Sequence, residues 1–309
     1  MEKIIILLIA LTLDLAFGEP PNTWHPVAWL GKLISLQMKL TPRRGKFRQM
    51  AYGAGIVLIT LGLVVATIYF VLTQLNEFNL IVYAIISGLL LKLSFSLRGL
   101  RQAVDLIKKP LAKDNLEQAR LSLKSLVSRD TTQLSQSQVI SAAVESAAEN
   151  ICDSFVAPLF YFLILGVPAA IAYRIINTFD TMIGYHGRWE YLGKFSARLD
   201  DVANFIPARL TALIIVLAAL ICRKNISQAW HIMLRDHRKT ESPNAGWTMS
   251  AIAGALEVQL EKVGHYKLGD NHLALSLNTI DGSRQIIAVT AIIWCSLFIL
   301  AEVVYFAAV

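Results

Sequence analysis

The 309-residue chain is 55% hydrophobic with a mean hydropathy of +0.52, which is too apolar for an ordinary water-soluble domain. Its formal charge of +7 does not mark a nucleic-acid binder, because the basic residues flank apolar runs and do not line one amphipathic face. Cys152, Cys222 and Cys295 stand singly, far apart and in apolar surroundings, which suggests neither a disulfide framework nor a thiolate metal site.

The first apolar run, Ile4–Phe17, follows only Lys3, contains Asp14 and has no small-x-small cleavage site before Glu19-Pro20. It reads as a retained helix and not as a signal peptide. The turn that follows combines Gly18, Glu19, Pro20, Trp24, His25 and Pro26. There His25 serves either as a metal ligand or, on the favoured reading, as a bridge to backbone groups. Tyr52–Leu72 and Leu80–Leu97 approach the length that crosses hydrocarbon. Arg43, Arg44, Lys46 and Arg48 precede the first of these, and Arg98, Arg101, Lys108, Lys109 and Lys113 follow the second. The positive-inside rule then places both flanking loops in the cytoplasm and the Thr73–Asn79 link outside. From Leu97 to Val127 apolar residues recur at three and four with Pro110 interrupting, which predicts one or two amphipathic helices along the bilayer surface within a loop spanning 98–135.

Ser135 caps a helix that begins near Gln136. Gly166-Val167-Pro168 then offers two readings. A hairpin, with spans near 146–165 and 169–185, brings Glu145, Glu149 and Asp153 to the same cytoplasmic side as Asn177 and Asp180. A single span, Phe155–Ile176, separates them. Proline just after a helix stop, with polar clusters at both ends, favours the hairpin. Ala208–Cys222 is a shorter run, and the basic residues Arg223, Lys224, Arg235, Arg238 and Lys239 after it favour a re-entrant or surface helix over a full crossing. A polar loop over 223–285 holds an Ala/Gly-rich helix, Met249–Glu261, flanked by Ser242–Trp247 and Gly264–Tyr266, which form a lid, a substrate loop or plain surface. Ile286–Ala308 is the last span. No internal repeat or low-complexity linker is evident, so the expectation is one all-α domain, a polytopic membrane helical bundle with amphipathic surface helices and cytoplasmic loops.

Three clusters carry chemistry. Glu145, Glu149 and Asp153 are spaced i, i+4, i+8, stacking like charges on one helical stripe. Such repulsion needs relief from a cation, an arginine or raised pKa values; the bland alternative is a solvated helix face. Asn177, Thr181 and Gly184 share a face with Asp180 at its edge, a strip that holds Mg²⁺ through Asp180 and presents Arg174 or Arg188 to phosphate, unless Arg174 and Asp180 simply pair. Arg198-Leu199-Asp200-Asp201-Val202-Ala203-Asn204 places adjacent aspartates beside an amide, a hard-cation pattern that also occurs as ordinary helix-cap chemistry. There is no P-loop, no G-x-S-x-G elbow and no H-E-x-x-H helix.

These elements, in this order, resemble the adenosylcobinamide-phosphate synthase family of cobalamin biosynthesis. The likeness rests on Asp14 to Pro26, Arg129-Asp130-Thr131, Glu145–Asp153 with Ala157-Pro158-Leu159-Phe160, Tyr173-Arg174 with Asn177–Asp180, and Gly184-Tyr185. It continues through Ala197–Asp201 with Asn204, Pro207–Thr211, Asn244-Ala245-Gly246, and Leu260–Lys262 with Gly264 and Tyr266. Glu19 stands where that family is expected to have Asp, and Leu165 precedes Gly166 where a second glycine is usual. The resemblance implies an ATP- and Mg²⁺-dependent ligase of the cell membrane, working on its cytoplasmic side. The enzyme joins a propionate of adenosylcobyric acid to 1-amino-2-propanol or its phosphate. On this basis Glu145, Glu149, Asn150 and Asp153 are the expected catalytic residues; Glu145 or Glu149 deprotonates the attacking ammonium. Arg174, Asn177, Arg198, Asn204 and Arg209 are expected to bind the phosphates, and Asp180, Asp200 and Asp201 the Mg²⁺.

Two other classes stay open on residues alone. An intramembrane prenyltransferase uses Mg²⁺-diphosphate chemistry, but normally with paired aspartate-rich motifs where here one cluster comes near. A transporter suits the intramembrane charges and the broken helix at Gly166–Pro168, though no inverted repeat supports it.

Overall fold

The computed structural model describes residues 1–21, 23, 25–42, 44–127, 129–184 and 189–308. Trp24, Arg43, Tyr185 and Arg188, named above, lie outside them. The chain is helical almost throughout, running α1 (Glu2–Phe17), α2 (Pro26–Lys39), α3 (Lys46–Phe78), α4 (Leu80–Lys92), α5 (Leu97–Leu111), α6 (Leu116–Leu123) and α7 (Gln136–Ile151). A π-helical turn, Cys152–Val156, leads into α8 (Ala157–Leu165), α9 (Val167–Ile183), α10 (Glu190–Ile221), α11 (Ile226–Asp236) and α12 (Ala245–Leu256). Strands β1 (Leu260–Lys262) and β2 (Tyr266–Leu268) precede α13 (Leu277–Ala308). Among the described residues five stretches are long and apolar enough to cross a membrane: Lys46–Phe78, Leu80–Leu111, Gln136–Leu165, Glu190–Ile221 and Leu277–Ala308. Leu58, Ile59, Leu63 and Phe70 on α3 and Leu213, Leu217 and Leu220 on α10 are exposed, as suits side chains that face lipid. The protein is a multi-pass membrane protein.

Local chemistry sets the boundaries. Asn79 alone links α3 to α4, so the expected Thr73–Asn79 link shrinks to one residue; its side chain accepts from the Ile81 and Val82 N–H groups. Asn115 and Asn225 cap α6 and α11 in the same way. Ser135 and Gln138 close a reciprocal capping box at the start of α7, each satisfying an orphan donor.

The chain divides into two compact units. The first comprises Met1–Ser96, Ala157–Asn204 and Ile299–Val309. In it α1 packs on α4, and α9 packs on α2, α3, α4 and α8. The α8–α9 hairpin turns at Gly166, whose φ of +79° is open to glycine and costly for other residues, and Pro168 enters the first turn of α9. The helix therefore breaks at Gly166, as the hairpin reading expects, and no single helix runs through Phe155–Ile176.

The second unit comprises Leu97–Val156 and Phe205–Phe298. Here α12, almost wholly buried, packs against α11 and α7, and α5 and α6 also meet α7. Within 223–285, read from sequence as a polar loop, lie two helices and an antiparallel hairpin with Leu260 opposite Leu268 and Lys262 opposite Tyr266. The Ala/Gly-rich helix begins at Ala245 and stops at Leu256, because Glu257 turns left-handed with φ 56°. Upstream, Ala208–Cys222 belongs to a longer helix than expected, since α10 runs unbroken through Pro207. A proline lacks the N–H that would satisfy the carbonyl four residues earlier; that carbonyl, on Ala203, accepts instead from the Tyr161 hydroxyl at 2.8 Å.

Candidate functional site

In the first unit, a polar chain links α9 to α10. The Tyr173 hydroxyl donates to Asn204 Oδ1 at 2.9 Å, and Asn204 Nδ2 donates to Asp200 Oδ2 at 2.9 Å. From the other side, Arg174 Nη1 reaches Asn177 Oδ1 and Asn177 Nδ2 reaches Asp200 Oδ1, both at 3.4 Å. Tyr173 and Arg174 thus occupy the amide oxygens, leaving both amide N–H groups to aim at one carboxylate. Tyr173, Asn177, Asp200 and Asn204 are buried. Among the described residues no lysine or arginine pairs with Asp200. A buried carboxylate held only by neutral amides keeps an uncompensated charge, and this is the donor set's fit to a cation. Asp180 and Asp201 are half-buried. Among the described residues no three His, Cys, Asp or Glu side chains form a metal-holding group, so these aspartates are not a ready three-acid cage. Mg²⁺ asks for less, usually one or two carboxylates with water and phosphate completing its shell. Arg198 does not join this cluster; it is exposed, two residues or about 200° around the helix from buried Asp200.

The second unit holds the glutamates. Glu145, buried in α7, accepts from Ser141 Oγ at 2.6 Å and from the Tyr266 hydroxyl at 2.9 Å, with Arg129 Nη2 at 3.5 Å. The hairpin is seated by the same serine, whose Oγ accepts from Glu261 N–H at 2.7 Å. Burial, then the charge of Glu145 and its hydrogen bond, push the Tyr266 hydroxyl pKa well up, Arg129 opposing only in part, so Tyr266 stays a donor. Glu149 and Asn150 follow one turn on, half-buried, with Asn150 Nδ2 bonded to Ser146 O and Oγ. Asp153 falls in the π-helical turn, so the regular carboxylate stripe ends in a wider turn of the kind often found at functional sites. Arg209 makes its contacts in this unit, to Phe205 O at 2.6 Å and Asn244 Oδ1 at 3.3 Å. Ser141, Arg129 and Tyr266 had no assigned role in the sequence reading, though Arg129 and Tyr266 stood among the residues of the resemblance.

A third network, in the first unit, explains the charge in the first apolar helix. Fully buried Asp14 pairs with Lys92 at 3.1 Å, Lys92 with Glu19 at 2.8 Å, and Glu19 with His25 Nε2 at 2.5 Å. Burial pushes the Glu19 carboxyl up, but hydrogen bonds from His25, Lys92 and Ser96 outweigh it and hold the pKa at about 2. His25 Nδ1 accepts from Val27 N–H and caps α2. The histidine therefore plays the structural role.

A multi-pass helical membrane protein with buried carboxylates held by amides, a tyrosine and an arginine is the class that fold and sites define. The chain belongs to the CobD/Cbib family: the family model described as CobD/Cbib protein matches residues 7–292. It is 53% identical over 307 residues, 99% of each chain, to the cobalamin biosynthesis protein CobD of Dehalococcoides mccartyi. Over 271 residues it is 44% identical to a probable cobalamin biosynthesis protein CobD of Methanothermobacter thermautotrophicus, covering 87% of this chain and 88% of that one. A probable CobD of Methanocaldococcus jannaschii is 38% identical over 299 residues, 94% of this chain and 96% of that one. No solved structure matches the chain.

Proposed function

We propose that this protein is an enzyme of cobalamin biosynthesis that joins 1-amino-2-propanol, or its O-phosphate, to a propionate of adenosylcobyric acid in an ATP-dependent amide ligation at the cytoplasmic side of the cell membrane. The observation that carries the reading is the full-length match to proteins named for cobalamin biosynthesis. Membership of this family favours the ligase over prenyl transfer or transport.

The chemistry asks for two things. A carboxylate resists attack by an amine in water until it is activated, most simply as an acyl phosphate, and an ammonium must lose a proton before it attacks. Asp200, with Asp180 or Asp201, would hold Mg²⁺, which when bound neutralises the charge on the transferring phosphate. Asn177 and Asn204 fix the Asp200 carboxylate, and Arg174 acts on it through Asn177. In the second unit, Glu145 has both oxygens engaged by Ser141, Tyr266 and Arg129, which suits a fixed anion that orients the ammonium. Glu149, on the next turn of α7, takes the proton. Asn150 and Asp153 follow it toward the π-helical turn as polar contacts for the substrate, and Arg198 and Arg209 supply cationic contacts for phosphate oxygens.

The purified protein in detergent, given adenosylcobyric acid, the amine or its phosphate, ATP and Mg²⁺, is expected to yield the amide, detected by mass spectrometry, with stoichiometric nucleotide cleavage. Absence of both product and nucleotide cleavage would remove the ligase reading.

A further inference from the structure

The second unit contains a cavity of about 600 Å³ lined by Arg209, His237, Arg238, Thr240, Glu241, Pro243 and Trp247. Its size lies in the range of small-molecule sites, roughly 300–1,000 Å³, and its chemistry is that of an anion site. The Arg209 guanidinium lies 3.6 Å over the Phe205 ring and 5.0 Å from the Trp247 ring centre. Its hydrogen bonds go to neutral oxygens of Phe205 and Asn244, not to a carboxylate. Arg238 is exposed and makes no hydrogen bond or ion pair among the described residues. The one carboxylate at the cavity, Glu241, is engaged by His265 at 2.8 Å.

The remaining walls agree in sign. The α12 N-terminus, with its partial positive charge, begins at the cavity between Pro243 and Trp247; Asn244 gives it no side-chain cap, and Ser242 Oγ accepts from the Asn244 and Ala245 N–H groups. Gly246 is what lets that terminus close on the 237–240 turn: a Cβ there would run into the His237 carbonyl and Thr240 Oγ1. His237 stacks on Trp247 with ring centres 4.0 Å apart. Its Nδ1 faces the carbonyls of Met233 and Leu234, which only accept, so Nδ1 carries the proton. Trp247 Nε1 is buried and has no acceptor, an unmet donor in the wall of a cavity rich in positive charge.

We propose that this cavity binds the phosphate of a phosphorylated substrate, with Arg238 and Arg209 on its oxygens and the His237–Trp247 stack as the adjoining aromatic wall. This rests on the ligase reading for the identity of the ligand and extends it by naming the pocket. Two substrates of that reaction carry the required chemistry, the nucleotide polyphosphate and the phosphate ester of the amine. Bidentate guanidinium contacts serve either.

The test measures equilibrium binding of ATP and, separately, of 1-amino-2-propanol O-phosphate to the detergent-purified protein and to Arg238→Gln, Arg238→Lys and Arg209→Gln. Arg238 is exposed, so its substitution does not disturb the core. The expected result is a loss of about tenfold or more in affinity for one ligand in Arg238→Gln, partial recovery in Arg238→Lys, and little change for the other ligand. Loss for ATP assigns the nucleotide, and loss for the phosphoamine assigns the amine substrate. Unchanged binding of both ligands in Arg238→Gln and Arg209→Gln, or no binding of either by the wild-type protein, overturns the proposal. Binding that depends on Arg238 in a protein that makes no amide would sink the ligase reading and leave the phosphate pocket standing.

Discussion

Tyr266 donates its hydroxyl to Glu145 at 2.9 Å across 121 positions of sequence, tying a short hairpin to a buried glutamate that Ser141 and Arg129 also contact. Removing that hydroxyl leaves a buried carboxylate short of a donor. Tyr266→Phe is expected to lose about 1–3 kcal/mol of stability and to raise KM for the amine more than it lowers kcat, if Glu145 orients the ammonium. A melt in detergent and steady-state kinetics check both. Wild-type Tyr266, its pKa pushed up, is expected to keep its proton in a spectroscopic titration through the ordinary tyrosine range near pH ~10.

The Asp14–Lys92 pair lies inside apolar helices, with side-chain exposures of 0% and 6%. Taking away one partner of such a pair strands the other charge. Lys92→Met is expected to cost about 3–5 kcal/mol, and Asp14→Leu combined with Lys92→Met to recover part of it. Thermal unfolding of these two variants and of Asp14→Leu alone measures the difference; a loss in the double variant equal to the sum of the two single losses would mean that the pair is not coupled.

Acid should destabilise the protein through two carboxylates outside the spans. Glu19 is held at about 2 against an ordinary 4.5. Asp236, pushed up by burial but held down more strongly by Arg235, Lys239 and the Gly269 N–H, is also at about 2, against 3.8. Both folded values are depressed, so this stability is present above the ordinary values and is lost as pH falls from 4.5 toward 2. Melting temperature across that window should drop, and Asp236→Asn should flatten part of the drop.

Asp200 and its amides give a graded test. Asn204→Ala removes the 2.9 Å donor to Asp200 and the acceptor of the Tyr173 hydroxyl. It should lower activity about 10–100-fold, in part recoverable with more Mg²⁺. Asp200→Asn should abolish turnover while the protein stays folded, as judged by circular dichroism. Full activity in Asp200→Asn would remove it from the metal proposal.

Long apolar runs, the Ser135 cap and the Gly166–Pro168 turn were legible because each is local: a run length, a capping pair, a residue that tolerates positive φ. The hairpin that carries Tyr266 was not, since strands of three residues are too short for alternation to register. The full length of α10 was not legible either, because the hydroxyl that satisfies the Ala203 carbonyl beside Pro207 comes from Tyr161, 42 positions away. Asp14 stood out as a charge in an apolar run, but its partner, Lys92, is set by packing of α1 on α4. For the acidic clusters, residue types were visible, whereas the chain from Tyr173 through Asn204 to Asp200 emerges only once α9 and α10 are side by side.

The central claim is an ATP-activated amide ligation, and oxygen tracing tests it most directly. With adenosylcobyric acid labelled with ¹⁸O in its free carboxyl, the account predicts that amide formation transfers one labelled oxygen to the phosphate released from ATP. Amide without label in the phosphate would contradict activation as an acyl phosphate, and no amide at all would contradict the account itself.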